Sequence, residues 1–166
     1  RYPTNPLDVG SLLRALQDNL DDWVTRGTLP PESRVPRRGG GTALSGDEVL
    51  ASFPAIPDVN RPHGPNRLFV QDHGQEFDKG LLSLEPPVED RTREYVVLVP
   101  SVDADGNEVP GIRGPHLMVP IATYTGWNLR RIGEAEESMC AVYGSYLPFP
   151  DDEAERMNKK DPRESR

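Results

Sequence analysis

The sequence predicts a mixed α/β chain in which one long amphipathic helix is followed by an irregular, loop-rich extension carrying a β-hairpin. Three observations lead there. Large apolar residues recur at three-and-four spacing from Val9 to Val24. Proline and glycine, 18 and 15 of 166 residues, break up most of the chain beyond that segment. Between Glu94 and Arg113, two β-rich stretches flank a turn built from Asp, Gly and Asn.

The helix is expected to open at Asn5-Pro6, with Asn as cap, Pro at the first helical position and Asp8 facing the positive end of the dipole. Val9, Leu12, Leu13, Leu16, Leu20, Trp23 and Val24 form one stripe, while Arg14, Asp18, Asp21, Asp22 and Arg26 take the other side. Gly27 supplies the stop, with Pro30 and Pro31 beyond it. Such a stripe needs a partner surface, and the next fifty residues offer little. The chain also starts at Arg1 and enters a helix within a few residues, so it reads as the C-terminal portion of a larger protein.

Residues 28–65 are turn-rich, and Val35-Pro-Arg-Arg-Gly-Gly-Gly41 reads as a flexible or extended link. Ser45 followed three residues later by Glu48 has the spacing of a capping box, which predicts a short helix over 46–53. Arg67–Val70 and Leu81–Leu84 are expected as short strands. The hairpin pairs Glu94–Val102 with Glu108–Arg113 around a turn at 103–107. The tail from Asp151 to Arg166 is almost wholly charged, and either a short helix over 153–159 or disorder fits it. The organisation predicted is therefore a helix over 1–27, an extension over 28–150 containing the hairpin at 94–113, and a charged tail over 151–166.

Composition limits function. At 35% hydrophobic and 7% aromatic the core will be thin, which favours a chain that wraps against a larger neighbour. Nineteen basic against 27 acidic residues give a net charge of −8, which argues against nucleic acid or an anionic membrane surface as partner. The longest apolar runs fall well short of the roughly 20 residues of a membrane span, so a soluble protein is expected. Cys140 is the only cysteine; it is expected to be a small buried hydrophobe, and it leaves the compartment open.

Few residues carry chemistry. Asp103, Asp105, Asn107 and Glu108 crowd oxygen ligands, but Gly106 and Gly114 stand at the wrong positions for a calcium loop, and a polar turn accounts for the composition. His63, His73 and His116 lie in separate segments, so no metal site is expected. Neither Ser45 nor Ser145 has the glycines of a nucleophile elbow, no catalytic residue is identified, and no cofactor is expected. Thr123-Tyr-Thr-Gly-Trp-Asn-Leu-Arg130 differs in kind. Its Tyr124, Trp127 and Asn128 either line a pocket or anchor the loop to the body of the protein.

Several of these stretches together carry a resemblance. Asn5-Pro-Leu-Asp8, Phe53-Pro-Ala-Ile-Pro57, Val102-Asp-Ala-Asp-Gly-Asn-Glu108, Thr123–Arg130, Gly144-Ser-Tyr-Leu-Pro-Phe149 and Asp161-Pro-Arg-Glu-Ser165 resemble the C-terminal part of a family of large α/β-hydrolase-domain proteins. The resemblance spans nearly the whole chain. It implies an esterase-like serine hydrolase whose nucleophile, acidic partner and histidine all precede Asn5. On that basis the chain is the C-terminal portion of an α/β-hydrolase fold. Its helix is the last of the hydrolase body, and its partners are that upstream body and, for the intact protein, a small-molecule ester. The alternative from the residues alone is a non-catalytic interaction or structural module.

Overall fold

The computed structural model describes residues 2–130, 135, 138–139 and 143–166. Cys140, Arg1 and the acidic stretch 134–137, apart from Ala135, lie outside the described residues. The described residues hold four α-helices and three two-stranded antiparallel sheets: α1 (Gly10–Arg26), β1 (Ala43–Ser45), α2 (Gly46–Ser52), β2 (Phe69–Asp72), β3 (Val88–Glu94), β4 (Leu98–Pro100), α3 (Pro115–Met118), β5 (Ala122–Tyr124), β6 (Tyr146–Pro148) and α4 (Glu153–Lys159). No described helix is long and apolar enough to cross a membrane.

The first helix begins at Gly10 rather than at Pro6, where its cap signals predict, because Asn5 is held elsewhere. Its N–H donates to Gly144 O (2.9 Å) and its amide Nδ2 to Thr125 O (3.1 Å), while Thr4 bridges Ser145. The chain thus runs as an extra strand beside β6, with Tyr146 N donating to Pro3 O, before α1 departs. Gly27, in the left-handed region at φ 69°, closes the helix by donating to Trp23 O. In between, α1 packs against no other element among the described residues. Leu13, Leu20 and Trp23 remain 58%, 55% and 49% exposed, so the stripe is uncovered among the described residues.

Helix α2 has the capping box the sequence predicts, with Ser45 Oγ accepting from Glu48 N and Glu48 Oε2 accepting from Ser45 N. The strand expectations need correction. The first strand lies two residues further on, at Phe69–Asp72, paired with Val88–Glu94, and Leu81–Leu84 forms no strand. Ser83 and Leu84 both donate their N–H groups to His73 O, which closes residues 74–82 into a loop and removes them from any ladder.

The hairpin is also rearranged. The stretch from Glu94 divides: β3 ends there, and Leu98–Pro100 pairs with Ala43–Ser45 (Ala43 opposite Pro100, Leu44 opposite Val99). Only the turn-proximal end of the expected hairpin is present, as a Val102–Glu108 bridge and a Val109 N to Ser101 O bond. Pro100 and Pro110 have no N–H to extend that ladder, and Gly111 turns away at φ 97°.

The core is small and half polar. Tyr2, Phe53, Ile56 and Leu147 form its apolar cluster, with Val59, Val102 and Trp127 packed against it. Around them Asn107, Thr123, Asn128, Ser145, Asp161 and Arg163 are also buried. Buried polar side chains of this kind are tolerable only when hydrogen-bonded, and each of these is.

Candidate functional site

The loop Thr123–Arg130, the signature loop, leaves β5 and packs beside the segment 143–146 that leads into β6. Its backbone is held by hydroxyls: Thr125 Oγ1 and Ser145 Oγ both donate to Trp127 O (2.5 and 2.7 Å), and Ser145 N donates to Thr125 Oγ1 (3.0 Å). Gly144 makes this packing possible, because a Cβ there would lie 1.6 Å from Thr125 O. No other residue type allows two backbones so close.

The Asp103–Glu108 turn is tied to β5 by two side chains, Thr123 Oγ1, which donates to Asp105 O, and Asn107. Asn107, fully buried, donates Nδ2 to Ala122 O (3.1 Å) and accepts from Tyr124 N (2.8 Å). Asp103 shapes the turn, its Oδ1 accepting from Asp105 N and Asn107 N while Oδ2 pairs with Arg113. Gly106, at φ 78°, passes against Phe53 and Thr123, where a Cβ would meet their side chains at 3.0 and 3.1 Å. The oxygens of Asp103 and Asn107 are thereby engaged by protein N–H groups, the arrangement of a polar turn.

Below the sheet sits a buried ion pair that composition did not single out. Arg163 forms a two-bond fork with Asp161 (Nε–Oδ1 3.0 Å, Nη2–Oδ2 2.7 Å) and donates further to Thr123 Oγ1, Leu147 O and Pro148 O. Its guanidinium lies 5.3 Å from the Phe149 ring centre. Burial pushes the Asp161 carboxyl up, but hydrogen bonds from the Arg163 side chain and backbone N–H and the guanidinium charge outweigh it and leave the group below its ordinary value. The charged tail therefore contains α4, as one of its two readings held, and ends in a strap whose Asp161 and Arg163 are only 5% and 3% exposed. The sequence signal was the Asp-Pro-Arg spacing, whose proline interrupts an otherwise solvated stretch.

A cleft of about 570 Å³ opens between α2 and the signature loop. Val49, Leu50, Phe53, Val102, Trp127 and Leu129 are among its apolar lining residues, and Arg61, His63, Glu108 and Tyr124 are its charged or titratable groups. Phe53 and Trp127 meet at 5.8 Å between ring centres, tilted by 55°. Arg61 is turned to the end of α2, where Nη1 donates to Leu50 O and Phe53 O (3.1 and 3.3 Å). Burial raises the Glu108 carboxyl, with no second cause.

Of the three residues picked out in the loop, Tyr124 and Trp127 border this cleft. Tyr124 is nearly buried and touches His116 and Tyr146 through its ring, and burial first, then the neighbouring Tyr146, raises its hydroxyl. Asn128 does not border the cleft. Fully buried, it accepts from Tyr2 N (3.3 Å) and donates to Tyr2 O (3.1 Å), acting as a strand-like partner for the N-terminal segment. Phe53 and Arg61 were not singled out from sequence, and Glu108 was picked out only as part of the oxygen-rich turn, not as a neighbour of Trp127.

Both serines weighed as nucleophiles are engaged in structure, Ser45 in the α2 cap and Ser145 on Trp127 O. Among the described residues, no group of three or more His, Cys, Asp or Glu side chains converges to hold a metal ion.

A family model described as alpha/beta hydrolase domain matches residues 1–161. No curated protein matches the chain, and no solved structure matches it.

Proposed function

The chain belongs to the alpha/beta hydrolase domain family, and from that premise we propose that it is the C-terminal portion of a serine hydrolase acting on ester or related acyl bonds of small molecules. Its catalytic serine, histidine and carboxylate lie upstream of Asn5, and the Tyr124–Trp127 loop borders the substrate pocket. In the intact enzyme the serine is activated by the histidine, the carboxylate orients that base, and backbone N–H groups receive the oxyanion. The observation that carries this reading is the engagement of both candidate hydroxyls: Ser145 Oγ is buried and donates to Trp127 O, and Ser45 Oγ serves Glu48. The uncovered stripe of α1 supports an upstream hydrolase body as its partner.

The test is turnover of p-nitrophenyl acetate. The 166-residue chain is expected to be inactive, and the same chain preceded by its native upstream sequence active. Turnover by the chain alone that survives purification and the Ser45→Ala and Ser145→Ala substitutions would overturn the assignment.

A second reading, a non-catalytic interaction or structural module, is favoured by the built core around Tyr2, Phe53 and Leu147, which uses residues of this chain alone. Cooperative unfolding of the isolated chain, with no activity gained on adding the upstream sequence, distinguishes it.

A further inference from the structure

We propose that the cleft between α2 and the signature loop binds a small organic cation, an ammonium group carried on an apolar or aromatic body. The proposal concerns the cleft alone and does not depend on hydrolysis. At about 570 Å³ the cavity has the size of ordinary small-ligand sites. Its walls are apolar, and two aromatic rings form one corner: Phe53 and Trp127, tilted by 55° at 5.8 Å, present ring surface in two directions. Ring faces attract cations, indole most strongly.

The second requirement is a counter-charge, and Glu108 supplies it. Its side chain has neither hydrogen bond nor ion pair among the described residues, and burial is the single influence on its carboxyl. Glu108 stands at the exposed rim of the cleft with no partner of its own among the described residues, so a cation entering there gains an ion pair without displacing one. Arg61, also in the lining, forms no ion pair with Glu108; its Nη1 donates to the carbonyls that end α2, which fixes its charge at that end of the cleft. An anionic ligand would meet Glu108 with repulsion, and a neutral one would gain nothing from it. The chain's net charge of −8 raises the local concentration of cations further.

The full chain is titrated with benzyltrimethylammonium, following Trp fluorescence and heat, beside its neutral carbon isostere neopentylbenzene. Saturable binding of the cation is expected, with the isostere about tenfold weaker or more, the gap one good cation–aromatic contact plus a partial ion pair provides. Glu108→Gln is expected to weaken the cation about tenfold and leave the isostere unchanged. Glu108 stands at the exposed rim and makes no side-chain bond among the described residues, so this variant should fold; circular dichroism and an unchanged unfolding midpoint verify it. Equal binding of cation and isostere, an unaffected Glu108→Gln variant, or no saturation by the cation each overturns the proposal. Because no turnover is read, loss of esterase activity elsewhere leaves this result untouched, and absence of cation binding leaves the hydrolase reading untouched.

Discussion

Replacing Arg163 by alanine should be the most damaging single change in the described tail. The side chain is 3% exposed, and its five donated bonds end on both Asp161 oxygens, Thr123 Oγ1 and the carbonyls of Leu147 and Pro148. Truncation leaves the Asp161 carboxylate, itself 4% exposed, without its counter-charge. Removing one member of a buried pair costs about 3–5 kcal/mol, a large part of the roughly 5–15 kcal/mol that holds a domain folded. The Asp161→Ala, Arg163→Ala double variant should recover part of this loss, because no charge is then stranded. Urea unfolding followed by Trp fluorescence and by circular dichroism gives the cycle. A single-variant loss below about 1 kcal/mol, or strict additivity of the two changes, would refute the idea that the strap is held by this pair. Arg163→Lys should recover less than half of the loss, since an ammonium cannot reproduce the two-bond fork.

Three further outcomes are expected. The depressed Asp161 carboxyl means the folded state holds fewer protons there than the unfolded chain; its contribution is present above its ordinary value of 3.8 and is lost as pH falls through the lower folded value. Urea midpoints should therefore fall more steeply below about pH 4 in the parent than in Asp161→Asn, and identical slopes would contradict this. Gly144→Ala should cost about 3 kcal/mol by forcing apart the Thr125 and Gly144 backbones, whereas Gly126→Ala, with nothing within 4 Å, should be nearly neutral in the same thermal melts. Asn107→Ala leaves Ala122 O and Tyr124 N without their partner in a fully buried position and should cost about 2–3 kcal/mol in urea unfolding; a loss under about 0.5 would mean water replaces the amide.

Local signals were legible where the chain's own neighbours decide the outcome. The Ser45–Glu48 box, the Gly27 stop and the Asp/Asn/Gly turn each depend on bonds between residues a few positions apart, and all three are present; at 153–159 the sequence left helix and disorder open, and the structure has the helix. The family was legible too, because its motifs are contiguous strings. Strand pairing was not. Whether Leu98–Pro100 pairs with the stretch after the turn or with Ala43–Ser45 depends on which distant edge is within reach, and nothing in the residues 94–113 encodes that edge.

The candidate site divides in the same way. That Tyr124, Trp127 and Asn128 belong to one unusual loop could be read directly, yet the same amide chemistry that makes Asn a plausible pocket donor makes it a good clamp for Tyr2, 126 residues away. Only the packed chain distinguishes the two. Sequence by itself determined the amphipathic helix, its Gly27 stop, the Ser45 cap of α2, the turn chemistry and the family, all consequences of periodicity or short-range bonding. The tertiary structure decided that Asn5 is tied to Gly144 and Thr125 rather than capping α1, that Asp161 and Arg163 are interior, and that Phe53, Glu108 and Trp127 share a cleft. Each of those requires surfaces far apart in the chain to meet, and burial, which sets the value of a charge or an amide, exists only after they have met.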